Sequence, residues 1–183
     1  RSARAGKVAA MMQQFFRSYL IAYLFWIGIA LGCLPLLMLH HLVGGNWGFV
    51  IRRILEAGTR TLLLMVLLFT PVLVGVHSLY EWSHPDVVAR DEVLQAKQPY
   101  LNVPFFIVRA AVCFLAWIVF AFFLNRWSAE QDASGNPFFL RRFQLLSAPG
   151  IAVYGLTITF ASIDWAMSLE PHWYSTIYGM MLV

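Results

Sequence analysis

The chain has 183 residues, of which 60% are hydrophobic, 16% aromatic and 12% charged, with a formal net charge of +4. A mean hydropathy of +0.68 and this shortage of charge exclude an ordinary soluble domain and point to an integral membrane protein. The basic residues are spread along the connecting segments instead of forming a run, which argues against a nucleic-acid partner.

Residues 1–14 are basic (Arg1, Arg4, Lys7) and Ala-rich, and predict a helical lead-in at the membrane interface. A first span follows over 15–39. At about 25 residues it exceeds the ~20 that cross a bilayer, so it should tilt, and it is too long to be a cleavable signal peptide. Gly28, Gly32 and Pro35 give it a small, kinkable face on which a neighbour can pack. His40-His41 closes it as an interfacial pair. Gly44-Gly45-Asn46 makes a turn, and 47–57 is expected to be a short amphipathic helix lying in the interface, with Arg52 and Arg53 toward headgroups.

The second span is predicted over 61–80. Pro71 and Gly75 lie inside it, and Pro71 should kink it and free a backbone carbonyl. His77 falls within this span, one turn before Glu81. The polar connection 81–102 predicts one short helix, 85–97, opened by Pro85 and ended by Pro99. A third span covers 103–124, with Arg109 about two turns inside it. The segment 129–137 reads as a polar turn and 138–146 as interfacial. A fourth span covers 148–169, Glu170-Pro171-His172 breaks it, and a fifth begins near Trp173. Many Trp and Tyr sit near the ends of these runs, as interface belts require.

No repeat, low-complexity tract or linker divides the chain. The expectation is an all-α, polytopic transmembrane bundle over 1–183, with four full spans and the start of a fifth. The chain starts without Met and stops inside an apolar run at Met180-Met181-Leu182-Val183. It is therefore expected to be the N-terminal bundle of a longer protein.

Asp164 stands out. A carboxylate inside an apolar span costs roughly 2.5–3.5 kcal/mol on insertion scales unless a partner or water solvates it. It is either a group that takes up and releases protons or half of a structural pair, for which Arg109 is the candidate. Alternating the spans brings His77, Glu81, Arg109, Asp164, Glu170 and His172 to one side of the membrane, a layer holding a cation and several acids. Histidine exchanges protons readily near neutral pH, so His77 reads as a relay, a quinone hydrogen-bond partner or a satisfied core residue. Of the 13 Lys and Arg, seven fall on the side of this layer and six on the other, so charge does not orient the chain.

Other chemistries are disfavoured. The five histidines form no pair with metal-ligand spacing, and none is placed at a depth to join His77 on a haem. Cys33 and Cys113 lie in apolar runs and read as small buried hydrophobes. No phosphate-binding loop or nucleophile elbow is present.

The run F-A-S-I-D-W-A-M-S-L-E-P-H-W-Y-S-T-I-Y-G (160–179) resembles the signature of the ActF-type subunits of alternative complex III, the bacterial quinol:cytochrome c oxidoreductase. These belong to the NrfD/PsrC-like membrane subunits. The segments F-F-R-S-Y-L-I-A-Y-L-F-W (15–26) and L-Y-E-W-S-H (79–84) fit the same family, and the block around Asp164 separates it from the ActC-type sister subunits. The resemblance implies two four-helix bundles, of which this chain would hold mainly the first. It implies a bacterial inner-membrane complex with an ActC-like subunit, an iron–sulfur subunit and c-type cytochromes, in which quinol oxidation drives proton movement. Haem c and iron–sulfur clusters would reside in the partners, quinone or quinol would be the substrate, and this chain would hold no cofactor. Asp164, Glu170 and His172 match the family's acidic block, and His77 and Glu81 its preceding helix end. They would line a proton half-channel rather than bind metal. A secondary transporter or ion channel, with inverted repeats, is the rival expectation. A purely structural scaffold is the third.

Overall fold

The computed structural model describes residues 2–45, 47–135, 138–173 and 175, and every regular element among them is helical. The long elements are α1 (Ser2–Val43), α2 (Arg52–Arg60) running into α3 (Leu62–Val74), α7 (Val103–Ser134) and α8 (Phe138–Trp165). Between α3 and α7 lie the short helices α4 (Val76–Leu79), α5 (Pro85–Val88) and α6 (Glu92–Lys97). Four stretches are long and apolar enough to cross a membrane: Gly6–Val43, Arg52–Val74, Val103–Ser134 and Phe138–Leu169. In hydrocarbon every backbone N–H and C=O must be satisfied within its own segment, which is why these apolar runs are helical throughout.

The packing makes a ring. α1 lies against α2–α3 and α8, and α7 lies against α2–α3 and α8. Each long helix therefore touches its neighbours in sequence, and α8 closes the ring on α1, the arrangement of an up-down four-helix bundle. The centre is aromatic. The Trp165 indole is 1% exposed and stands 4.9 Å from the Phe69 ring, 5.4 Å from Phe114 and 5.8 Å from Trp117. Trp117 in turn donates from Nε1 to Thr157 Oγ1 at 2.8 Å, so both indoles are fixed. Outward positions such as Ile21, Phe25, Leu67, Leu115 and Leu156 are large, apolar and exposed, the surface a lipid-facing bundle presents.

Several boundaries differ from the sequence expectation. No separate interfacial helix covers 47–57. Residues 47–50 turn, and α2 from Arg52 is the first part of the second span, because its buried face (Leu55, Glu56, Thr59) packs on α1 and α7. The second span breaks at Gly75, four residues after Pro71. Here the hydroxyls of Tyr19 and Tyr23 tie α1 to the Leu68 and Met65 carbonyls just ahead of the proline, at 2.7 and 3.1 Å. The helix expected over 85–97 is two, because Asp91 caps α6 by accepting from the Val93 amide at 2.9 Å. The third span overruns the expected polar turn to Ser134, where Gly135 (φ +61°) supplies the left-handed cap. Residues 138–146, expected to be interfacial, begin α8. The fifth span, expected beyond Trp173, lies outside the described residues.

One close approach sets the spacing of α1 and α2. A β-carbon on Gly58 would stand 2.5 Å from Cys33 Sγ and 3.1 Å from its Cβ. Gly58→Ala should therefore destabilise the bundle by about 1–3 kcal/mol, read as a lower melting temperature in lipid nanodiscs. Cys33→Ala in the same chain should recover part of that loss. Strictly additive costs would mean that the two positions do not meet.

Candidate functional site

A span that carries Asp164 must solvate it, and the end of the bundle is built to do so. Asp164 lies in the last turn of α8 and is 2% exposed, and Arg109 reaches it from the second turn of α7. The grip is bidentate: Arg109 Nε donates to Oδ2 at 2.6 Å and Nη2 to Oδ1 at 2.9 Å. The remaining nitrogen, Nη1, donates to the Tyr100 carbonyl at 2.9 Å. The guanidinium also lies 3.9 Å from the Tyr100 ring centre and 4.3 Å from that of Phe105, so π faces cover what hydrogen bonds leave open. One planar cation thus clips α7, α8 and the connection between α6 and α7 together, a geometry that lysine could not supply.

The rest of this end folds over the pair. Tyr80 donates from its hydroxyl to the Trp165 carbonyl at 2.9 Å. Ser168 donates to the Asp164 carbonyl at 2.5 Å, and Lys97 Nζ to the Pro171 carbonyl at 2.5 Å. The Tyr100 hydroxyl is buried and makes no hydrogen bond of ordinary geometry. Burial first, and then the Asp164 charge, pushes its phenol up to about 12, so it stays protonated at physiological pH. A cleft of about 360 Å³ between α6 and the end of α8 is lined by Lys97, Tyr100, Ser168 and Pro171. It leads from the end of the bundle to two neighbours of Asp164.

The other residues singled out from the sequence stand apart from the pair. His77 is exposed, and its carbonyl accepts from His84 Nε2 at 2.6 Å, which fixes the proton on that nitrogen. Glu81 and Glu170 are exposed. His172 is exposed too, and its Nε2 meets Asp91 Oδ2 at 2.8 Å. Only Arg109 and Asp164, of the six, touch each other through their side chains. Among the described residues no group of His, Cys, Asp or Glu could hold a metal ion.

The opposite end holds a charged cluster that the sequence reading missed. Glu56 is 2% exposed and accepts from Arg52 Nε at 2.9 Å, Arg53 Nη1 at 2.8 Å and Ser128 Oγ at 2.5 Å. Arg52 also donates to Gln131 at 3.0 Å, and Arg53 pairs with Asp132. The cluster latches α2 to α7. His40 and His41 are buried beside it, and the His41 ring lies parallel to Phe143 at 4.0 Å. The available signal was spacing: Arg52 and Arg53 stand four and three residues before Glu56, on one helical face.

No protein-family model matches the chain, and no curated protein is similar to it. Its geometry therefore carries the functional reading.

Arg109→Gln leaves a buried carboxylate without its counter-ion and should cost about 3–5 kcal/mol. The double variant Arg109→Gln/Asp164→Asn removes both charges and should be clearly more stable than Arg109→Gln alone. Thermal unfolding in nanodiscs measures both. A double variant as unstable as the single one would mean that the charges are not coupled.

Proposed function

We propose that this chain is a membrane subunit of a respiratory quinol:electron-acceptor oxidoreductase of the alternative complex III type, in a bacterial inner membrane. Its partners would be an ActC-like sister subunit, an iron–sulfur subunit and c-type cytochromes. The blocks at 15–26, 79–84 and 160–179 support that membership. The role is to pass protons through the end of the bundle that holds Asp164. The observation that carries this role is a buried carboxylate held by a single cation and approached by a cleft lined with Lys97, Tyr100 and Ser168.

In this reading a proton entering by the cleft neutralises Asp164, both short bonds to Arg109 weaken, and the guanidinium turns toward the Tyr100 carbonyl it already holds. Exposed His77, Glu81 and Glu170, with His172 against Asp91, form the hydrated rim that exchanges protons with bulk water. Quinone chemistry belongs to a neighbouring subunit. An apolar groove of about 470 Å³ between α7 and α8 reaches Arg109, and apart from the Tyr100 hydroxyl its side-chain donors are committed. Arg109 serves Asp164 and Tyr100, and Cys113 Sγ lies 3.6 Å from the Thr157 carbonyl. Such a groove fits an isoprenoid tail better than a quinone ring that needs donors.

The bidentate pair favours a second reading, a structural scaffold in which Arg109 and Asp164 never part. The two readings separate on Asp164→Asn in the assembled complex. In the proton reading the variant assembles and transfers electrons, but loses proton movement coupled to quinol oxidation. An unchanged proton-to-electron ratio overturns that role and leaves the scaffold. Membership is tested first, by purification from native membranes with haem and iron assays and mass spectrometry of the co-purifying chains. Multihaem and iron–sulfur partners are expected; a homo-oligomer free of redox partners overturns the respiratory assignment.

A further inference from the structure

We propose that the groove between α3 and α7, at the end of the bundle opposite Asp164, is a binding site for one anionic phospholipid, with Arg60 and Arg126 on its phosphate. The groove has a volume of about 340 Å³, with apolar walls from Leu62, Leu63, Ile118 and Phe122, and both arginines line it. Arg60 is the last residue of α2, immediately before the apolar run of α3, and Arg126 follows the apolar run of α7 that ends at Leu124. The two cations therefore flank the apolar runs of α3 and α7 at the same end, with an apolar furrow running inward from them.

The hydrogen bonding leaves both arginines available. Among the described residues each spends only its Nε: Arg60 on Asn125 Oδ1 at 2.8 Å, and Arg126 on Glu130 Oε1 at 3.0 Å. Asn125 is itself fixed, its amide donating to Thr59 Oγ1 and the Ala121 carbonyl, both at 2.8 Å, so it aims Arg60. The Nη groups of both residues have no acceptor among the described residues. A guanidinium whose outer N–H groups stay free beside hydrocarbon asks for a phosphate oxygen. Two arginines against one Glu130 leave a net positive mouth, which selects an anionic headgroup over a zwitterionic one. The contrast with the α7–α8 groove is direct. There the one cation, Arg109, is consumed by Asp164 and Tyr100, so that groove offers apolar walls without a free charge.

The test uses the full chain and native mass spectrometry, titrating phosphatidylglycerol against phosphatidylcholine of the same acyl chains. One phosphatidylglycerol should be retained where phosphatidylcholine is stripped. Arg60→Gln/Arg126→Gln should weaken that retention roughly 30-fold, two charges being lost at about fivefold each. Leu63→Trp keeps both arginines, changes an exposed position and fills the furrow, so it should weaken retention as well. Arg141→Gln/Arg142→Gln, at the same end but outside the groove, should leave it unchanged. Equal retention of the two lipids overturns the site. So does unaltered binding by the Arg60/Arg126 variant or by Leu63→Trp, or an equal loss in the Arg141/Arg142 control. If the Arg60/Arg126 variant does not fold, the Leu63→Trp arm decides alone.

Discussion

A carboxylate cannot rest in hydrocarbon unaccompanied, and the bond between Arg109 and Asp164 is how this bundle meets that constraint. The demand propagates outward. Arg109 must lie on the opposing helix at matching depth, which fixes the register of α7 against α8. Its third nitrogen needs an acceptor, which pulls the Tyr100 carbonyl inward at 2.9 Å and folds the connection from α6 back over the bundle. That fold in turn lets Lys97 reach the Pro171 carbonyl and Asp91 reach His172. Lys97, Tyr100 and Arg109, scattered in sequence, are thus gathered at the end of the bundle that holds one desolvated charge.

Much of this was legible from sequence, for a physical reason. Apolar runs of membrane length have one stable conformation, so the four spans and the all-α class follow from composition and run length alone. Asp164 and Arg109 were visible because each interrupts such a run, and alternation of the spans placed them on one side. Glu56 was missed for the opposite reason. It sits beside Arg52 and Arg53 at the edge of a run, where charges are ordinary, and only the packing of α2 against α7 shows that it is buried. The overrun of α7 to Ser134 was lost because polar residues at a helix end look like loop. Only Gly135, free to adopt φ +61°, marks the true stop. The clustering of the polar side was overread: sharing an end does not bring side chains together. His77, Glu81 and Glu170 remain at the rim, since none of them is buried deeply enough to require a partner.

The two charged ends differ in how they balance. At the Asp164 end one cation meets one anion and the spare donor goes to a carbonyl, so the pair is neutral and self-contained. At the Glu56 end two arginines converge on one buried carboxylate, and the excess positive charge is passed outward to Asp132. The first arrangement changes sharply if one proton is added, because a single carboxylate carries the whole attraction. The second is buffered by Ser128, Gln131 and Asp132, so protonating any one of its acids leaves other acceptors in place. The Glu56 end is therefore the more redundantly bonded of the two.

Next to the Arg109–Asp164 pair the core is aromatic. Trp165, Phe69, Phe114 and Trp117 meet ring to ring there, and the Trp117 N–H is spent on Thr157. Packed aromatic rings of this kind oppose the passage of charge, which would be stranded among them in low dielectric. The aromatic rings thus stand between Asp164 and the rest of the core. Charge that entered at Asp164 would have to leave by the same end, or through a second bundle packed alongside. On the proposed reading, a proton path in this chain would stop at those rings, and crossing the membrane would need a partner that continues it.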